Sequence, residues 1–198
     1  MGQAEVDNRP SWHVLYMTMA FQLCTRSLDP RTKHGCFVVA SDYSPLSFGF
    51  NSPPQGCDDA NIPLEAPAKY DFMAHSEQNA IDNAAKKGIA LDNSIFYITG
   101  FPCPRCFQSI RRVGAKKIIY GPVGSAMIAQ KDIDAVDIMN TDKNGDKIIQ
   151  FIRWIDIVPT QFKNKSLEKR QLIEEALANI RNVQDTSWGY IQTKCFRK

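Results

Sequence analysis

Two short clusters in the middle of the chain carry the residue types that hydrolytic metal sites use. The first is His75-Ser76-Glu77, and the second is Pro102-Cys103-Pro104-Arg105-Cys106. Together they supply one imidazole, two thiolates and one carboxylate. These are the groups needed to hold Zn²⁺ with one coordination position left open and to move protons beside it. The two clusters therefore predict a site for hydrolysis.

The spacing within each cluster limits where the site can form. Cys103 and Cys106 are three residues apart, so in the first turn of a helix both sulfurs can face one metal ion. His75 and Glu77 are two residues apart, which is about 200° of rotation along a helix. Those two side chains can converge only where a helix begins. The spacing predicts two helix N-termini that meet at one ion.

Three protein ligands leave the fourth position of a tetrahedral zinc ion to water. The ion lowers the pKa of that water from about 15.7 to about 7, so hydroxide exists at neutral pH. Glu77, held beside the ion without binding it, can accept the proton and pass it to a leaving group. We therefore predict His75, Cys103 and Cys106 as metal ligands and Glu77 as the catalytic residue.

The overall composition fits one compact domain with an appendage. The chain has 198 residues and a formal net charge of +3, which is too weak a field for a dedicated nucleic-acid binder. We expect no nucleic-acid partner. Residues 1–10 are polar, and no segment reaches the about 20 apolar residues of a membrane span. The expectations are a cytoplasmic protein, no membrane contact and reduced thiols for its six cysteines.

Hydrophobic periodicity and turn residues predict a mixed sheet flanked by helices. Ile148 to Val158 fits either a helix or a strand. We predict a catalytic domain over 1–160 and a helical extension over 161–198 that contains the amphipathic stretch Ser166 to Asn182. The elements predicted before that extension are a helix from Trp12 to Leu23, a hairpin of Cys36–Ala40 and Leu46–Phe50, a long loop from Asn51 to Asp71, a helix from Ala74 to Lys87, a strand from Ser94 to Thr99, a helix from Cys103 to Val113, a strand from Lys116 to Tyr120 and a helix from Ala126 to Met139.

Several segments resemble one enzyme family in the same order. HxE followed by PCxxC is the signature of zinc nucleobase deaminases. The segments Arg26-Ser27-Leu28-Asp29-Pro30, Gly49 to Asp59 and His75 to Ile81 are similar to the family's RSxDP, GYNGxPxGCxD and HAExNAI motifs. From about Met17 to Tyr120 the chain resembles the deoxycytidylate (dCMP) deaminases, which belong to the zinc-dependent cytidine and deoxycytidylate deaminases.

The resemblance implies a fold, a reaction and a form of regulation. The fold is a three-layer α/β/α cytidine deaminase-like fold with a central mixed sheet. The reaction is hydrolytic deamination of dCMP to dUMP and ammonia by zinc-bound hydroxide, which supplies dUMP for thymidylate synthesis. Family members are homo-oligomers, with hexamers among related enzymes. They are allosteric enzymes activated by dCTP and inhibited by dTTP, and Mg²⁺ accompanies the bound triphosphate.

The resemblance also implies two further groups of residues. Arg26 and Ser27 suit a substrate phosphate, because a guanidinium pairs well with phosphate oxygens. Apart from the resemblance, the position of Lys86, about two and a half turns after the HxE motif, could let it reach a nucleotide bound between subunits. The remaining substrate-binding residues are predicted to be Asn51, Ala74, Ser76, Pro102 and Tyr120. The allosteric nucleotide site is predicted to comprise Gly49, Phe50, Asn51, Ser52, Gly56, Asp58, Asp59 and Lys86.

The chain also departs from the family pattern. Ser76 stands where the family has alanine and adds a hydroxyl beside the metal ligands. Phe50 and Ser52 replace tyrosine and glycine of the effector motif. Many family members carry an acidic segment that contains tyrosine and histidine near the substrate. In this chain Gly121 to Ser125 stands in its place. We therefore expect part of the substrate pocket to be built differently in this chain.

Other interpretations of the same residues remain open at this stage. Cys103-Pro104-Arg105-Cys106 alone resembles a redox CxxC motif. A structural zinc site would need a fourth ligand, from Cys36 or Cys57. His34 and Cys36 could form a second metal site with Cys57 or Cys24. The whole chain could also be a tRNA or single-stranded DNA deaminase, or a catalytically silent regulatory nucleotide-binding protein.

Overall fold

A computed structural model of the chain describes residues 11–123, 128–154, 156 and 157. The described part contains five strands, four α-helices and two short 3₁₀ helices. The two 3₁₀ helices, Asp59–Asn61 and Ala68–Asp71, lie in the predicted long loop. In chain order the other elements are α1 (Trp12–Cys24), β1 (Gly35–Val39), β2 (Pro45–Phe50), α2 (Ser76–Lys86), β3 (Ile95–Gly100), α3 (Pro104–Arg112), β4 (Lys117–Val123), α4 (Gln130–Met139) and β5 (Gln150–Arg153).

The five strands form one mixed sheet in the order β2-β1-β3-β4-β5. β1 pairs antiparallel with both β2 and β3, with Phe37 opposite Phe48 on one side and Tyr97 on the other. β3, β4 and β5 run parallel to one another, and Tyr97, Ile119 and Ile152 are in register. The parallel half requires crossover connections, which α3 and α4 provide.

Helices cover both faces of the sheet. Because side chains alternate along a strand, one face of β1 and β3 presents Phe37, Val39 and Tyr97, which pack with the buried face of α1. The other face presents Cys36, Val38 and Phe96, which pack with helices α2, α3 and α4. This arrangement confirms the predicted three-layer α/β/α fold with a central mixed sheet.

Most predicted elements lie within a few residues of their observed positions. Ser11 caps α1, and its Oγ accepts a hydrogen bond from the amide of Val14 at 3.3 Å. The ambiguous stretch Ile148 to Val158 contains strand β5, which is fixed by pairing with β4. The prediction that α4 begins at Ala126 was wrong, because Ala129 is extended and serves as the N-cap. The domain boundary at residue 160 and the extension 161–198 lie outside the described residues.

Gly49 brings strand β2 into close contact with helix α2. A Cβ built on Gly49 would lie 2.4 Å from the carbonyl oxygen of Ser76 and 2.5 Å from the amide nitrogen of Ala80. Asn79 of α2 also donates to the carbonyl oxygen of Phe50 at 2.8 Å and to Ser52 Oγ at 3.1 Å. Packing against the helix that carries Glu77 therefore requires a glycine at this position of the predicted effector motif.

Among the described residues, no helix has the length and apolar character needed to cross a membrane.

Candidate active site

Three side chains with metal-ligand atoms meet at the ends of two helices. The ligand atoms of His75, Cys103 and Cys106 all lie within 4.8 Å of one another. His75 Nδ1 is 3.6 Å from Cys103 Sγ and 3.4 Å from Cys106 Sγ. For a tetrahedral zinc ion with bonds of about 2.3 Å to sulfur and about 2.05 Å to nitrogen, the corresponding separation is about 3.6 Å. The three residues therefore fit zinc.

The local backbone explains why these side chains converge. His75 is the N-cap of α2, with extended φ and ψ angles of −73° and 158°. Cys103 is the N-cap of α3, with angles of −68° and 162°, and Pro104 occupies the first turn of that helix. Neither cap residue has a side-chain capping hydrogen bond. Both side chains are therefore available to an ion that lies off the two helix ends.

The two thiols differ in their affinity for a proton. Hydrogen bonds from Cys106 and His75 lower the pKa of Cys103 to about 4, although burial opposes this shift. The pKa of Cys106 is raised, because its proton is shared with Cys103 and because it is buried near Glu77. The bond to Cys103 also raises the pKa of His75. Metal binding at this cluster therefore releases the shared proton.

Glu77 lies in the first turn of α2 and is 5 % exposed. Burial raises its pKa, although the nearby His75 and the bond from Ser76 oppose the shift. Ser76 Oγ donates to Glu77 Oε2 at 2.9 Å, and Ser76 itself is fully buried. A carboxyl group with a raised pKa that lines a cavity is suited to accept a proton and return it.

The described residues form one cluster of three potential ligands, and it contains neither Cys36 nor Cys57. Cys36 is buried inside the sheet, whereas Cys57 is exposed. Neither offers a fourth ligand at the cluster, so within the described residues a metal ion there has an open position. A second metal site of His34 and Cys36 with Cys57 or Cys24 does not assemble among them either. The imidazole beside both sulfurs also distinguishes the cluster from a simple CxxC dithiol.

A first cavity, of about 480 Å³, opens onto the metal cluster. Its size lies within the range of small-molecule sites, which is about 300–1,000 Å³. Asn51, Pro102 and Phe101 contribute to the walls. Val123, from the segment Gly121 to Ser125 that departs from the family pattern, and Ile128 beyond that segment also contribute. The ionisable side chains on its walls are Asp29, His34, Lys69, His75, Glu77 and Asp132, together with Tyr70 and Cys103.

A second cavity, of about 830 Å³, lies between the start of the long loop and the exposed face of α2. Three cationic side chains line it, Arg26, Lys86 and Lys87, with Asp59 as an acidic neighbour. Among the residues predicted for an allosteric nucleotide, six line this cavity: Gly49, Phe50, Ser52, Gly56, Asp59 and Lys86. The structure thus brings most of that predicted set together in one place.

The structure places some predicted residues elsewhere. Asn51 lines the first cavity and not the second. Its side-chain Oδ1 accepts from the backbone amide of His34 at 2.7 Å, and its Nδ2 donates to the carbonyl oxygen of Thr32 at 2.9 Å. Asp58 caps a 3₁₀ helix by accepting from the amide of Ala60. Arg26 and Ser27, which we predicted to bind the substrate phosphate, line the second cavity and not the first, onto which the metal cluster opens.

Three other predicted substrate residues lie outside the walls of the first cavity. The amide and carbonyl groups of Ala74 form a bridge with Ser52 at 3.0 and 3.2 Å. Ser76 is buried against Glu77. The ring of Tyr120 packs against Phe101, with centroids 5.3 Å apart. Of the residues predicted to bind the substrate, Asn51 and Pro102 therefore line the first cavity.

Sequence reasoning missed several residues of the first cavity. Asp29 belongs to the quoted RSLDP segment but received no role, and Lys69 lies in the long loop. His34 was considered only as a metal ligand. Burial lowers the pKa of His34 to about 4, helped by the charge of His75, so it is neutral at pH 7. The RSLDP motif could have marked Asp29, but no local pattern marks Lys69, because the fold brings it to the cavity from a separate segment.

The fold and the metal cluster define a zinc deaminase domain. Residues 10–142 match the family model described as the cytidine and deoxycytidylate deaminase zinc-binding region, and the chain belongs to this family. Human deoxycytidylate deaminase is 32 % identical over 120 residues, which cover 58 % of this chain and 66 % of the human protein. ComE operon protein 2 of Bacillus subtilis is 31 % identical over 115 residues, which cover 57 % of this chain and 60 % of that protein. Each match spans less than two thirds of the relative.

A solved structure is similar over a larger share of its length. The dCMP deaminase of cyanophage S-TIM5, in complex with dCMP and dUMP, is 27 % identical to this chain. The similarity covers 73 % of this chain and 98 % of the phage protein, with a TM-score of 0.59.

Proposed function

We propose that this protein catalyses the hydrolytic deamination of dCMP to dUMP and ammonia. The observation that supports the proposal most is the placement of Glu77, which is buried on the wall of the same cavity as His75 and Cys103. Nucleotide binding alone, as in a regulatory protein without activity, does not require a buried carboxylate beside an open metal position. The similarity to deoxycytidylate deaminases and to a phage enzyme bound to dCMP and dUMP supports this choice of substrate.

In this proposal His75, Cys103 and Cys106 hold zinc, and the chain's own groups move the protons. Zinc supplies a Lewis acid that lowers the pKa of a water molecule to about 7. Glu77 takes one proton from the attacking water and delivers it to the pyrimidine ring nitrogen as the oxygen adds at C4. It then takes the remaining proton from the hydroxyl on C4 and passes it to the amine, the bond between C4 and the amine breaks, and dCMP and water have become dUMP and ammonia.

An ultraviolet assay with zinc-loaded protein tests the substrate. We expect dCMP to be converted to dUMP with release of one ammonia per turnover. Cytidine, adenine and guanine compounds serve as comparison substrates. Turnover of any of these with dCMP left untouched would contradict the proposal. Tight, strongly salt-dependent binding of oligonucleotides would instead favour a polynucleotide deaminase, because several phosphates would be neutralised.

We further propose that the second cavity binds a nucleoside triphosphate with Mg²⁺, with dCTP as activator and dTTP as inhibitor. Arg26, Lys86 and Lys87 provide positive charge there for the phosphates. The carboxylate of Asp59 can bind the Mg²⁺ that accompanies the triphosphate. Arg26 is therefore better suited to an effector phosphate than to the substrate. Assembly as a homo-oligomer belongs to this proposal through the resemblance to the family.

We expect Lys86→Gln to weaken activation by dCTP and Mg²⁺. Loss of one charge-assisted bond to phosphate should raise the concentration for half-maximal activation by about 10-fold to 100-fold. The measurement is the initial rate of dCMP deamination at increasing dCTP with Mg²⁺ in excess. Lys131→Gln, a change of the exposed lysine on α4, is the matched control and should leave the activation curve in place. Equal shifts in both variants, or a wild-type rate unaffected by dCTP, would contradict an effector site here.

A further inference from the structure

One buried ion pair lies on the wall of the first cavity and has no part in the mechanism above. Lys69 Nζ donates to Asp29 Oδ2 at 2.7 Å, and their side chains are 8 % and 6 % exposed. The two residues come from the end of the long loop and from the segment after α1. Burial of such a pair is weak evidence for a contribution to stability, because removing both charges from water costs about as much as their attraction returns. Its position at the cavity suggests a task in binding.

Both members of the pair are held in place. Asp29 Oδ1 accepts from the amides of Arg31 at 2.9 Å and Thr32 at 3.0 Å. Burial alone would raise the pKa of Asp29, yet the bonds from Lys69, Thr32 and Arg31 outweigh it and keep the pKa below its ordinary value. Lys69 lies in a 3₁₀ helix, and its amide bonds the carbonyl oxygen of Glu65 at 3.0 Å. The ammonium group is therefore presented at a fixed point.

The charges around the cavity single out Lys69. It is the one lysine or arginine on the walls that the described residues build. Glu77 and Asp132 are acidic, His75 belongs to the metal cluster, and His34 is neutral at pH 7. A substrate phosphate entering this cavity loses its hydration, so it requires a cationic partner. Val123 and Ile128, which occupy the wall near the altered segment, offer none.

We propose that Lys69 binds the 5′-phosphate of the nucleotide in the first cavity and thereby selects a nucleoside monophosphate over a nucleoside. An ammonium has three donors, and within the described residues the side chain of Lys69 makes one hydrogen bond, to Asp29. It can therefore hold a phosphate oxygen while Asp29 keeps it oriented. This inference rests on the proposed function, because it assigns the phosphate end of the same substrate.

The test compares a phosphorylated with an unphosphorylated ligand. Lys69→Gln alone leaves Asp29 buried without its charged partner, so the variant to use is the double change Asp29→Asn with Lys69→Gln. We expect the Kd of dUMP for the zinc-loaded double variant to rise by about 10-fold to 100-fold, the cost of one charged hydrogen bond. The Kd of deoxyuridine should stay within about twofold of the wild-type value. The ratio of kcat/KM for dCMP to that for deoxycytidine should fall by the same factor.

Two further variants sharpen the comparison. Asp29→Asn alone keeps the ammonium and should retain the preference for dUMP. Lys143→Gln, which changes an exposed lysine in the turn before β5, controls for loss of one positive charge and should leave both Kd values unchanged. If the double variant lost affinity for dUMP and for deoxyuridine by the same factor, Lys69 would have only a structural role. Unchanged dUMP binding would place the phosphate elsewhere.

The activity measurement tests the proposed function and the binding measurement tests the role of Lys69, so either claim can be contradicted without the other. Wild-type protein that binds dUMP but deaminates no cytosine compound would contradict the proposed function, and the dUMP comparison would still decide the role of Lys69. Wild-type protein that deaminates dCMP but binds dUMP no more tightly than deoxyuridine would contradict the role of Lys69 alone.

Discussion

Replacing Glu77 by glutamine should leave zinc bound and reduce the kcat for dCMP by about 10²-fold to 10⁴-fold, the usual contribution of a positioned acid-base group. The amide of glutamine has the same shape as the carboxyl group and can still accept from Ser76 Oγ, which donates to Glu77 at 2.9 Å. It cannot take up and return a proton. Zinc content by atomic absorption and kcat by ultraviolet assay measure the two outcomes together.

Stability separates this effect from a folding defect. Because burial raises the pKa of Glu77, the folded protein holds this proton more tightly than the unfolded chain does. The metal-free wild type therefore loses stability as the pH rises from about 4.3, the unfolded value, through the raised folded value. The glutamine variant lacks this loss, so at pH 7 its metal-free form should unfold at the same or a higher temperature.

Asp82→Asn makes the same chemical change on the exposed side of α2. It should leave zinc content and kcat unchanged. A Glu77→Gln variant with wild-type kcat would remove Glu77 from the mechanism. Loss of zinc from that variant would indicate that Glu77 supports the ligands instead.

Replacing Cys106 by serine should remove the metal ion. Cys106 is buried, and its sulfur lies 3.4 Å from His75 Nδ1. A serine hydroxyl does not form the thiolate bond that zinc requires. We expect metal affinity to fall by more than about 100-fold, the upper limit for changes that only disturb the orientation of ligands. Activity should fall with the zinc content.

The same variant should lose the stability that metal binding provides. At a zinc concentration about 1,000 times the wild-type Kd, this contribution is about 4 kcal/mol. Thermal unfolding with and without a chelator measures it: the wild-type protein should respond to the chelator and the variant should not. Cys57→Ser changes an exposed cysteine and should retain both zinc and its unfolding temperature. Zinc loss from Cys57→Ser would revive a four-ligand structural site.

The sequence predicted that His75, Cys103 and Cys106 would meet, because residue types and short spacings within two local segments were enough to indicate it. The types of His75, Glu77, Cys103 and Cys106 specify zinc chemistry, and their short spacings force the metal ion to lie off two helix ends. The N-cap geometry of His75 and Cys103 agrees with that expectation. Periodicity over single elements likewise predicted α1 and the hairpin of β1 and β2.

The assignment of β5 and the start of α4 could not be predicted from the local sequence. Ile148 to Val158 is apolar enough for either structure. Pairing with the neighbouring strand β4 makes Gln150–Arg153 a strand, and the helical residues Trp154, Asp156 and Ile157 follow it. Ala126 to Ala129 has good helix formers, yet the chain at Ala129 is extended and α4 begins at Gln130. Tertiary contacts outweigh propensity in such short segments.

Residues from separate segments form the two cavities, and only the tertiary structure decided which residues share one. By itself the sequence determined which three potential ligands meet, the family resemblance and most elements, and it predicted Glu77 as the proton carrier. The packing of distant segments then placed Arg26 with Lys86 in the second cavity and brought Lys69 to Asp29 in the first. Such pairs depend on how distant segments pack, and no spacing along the chain encodes that distance.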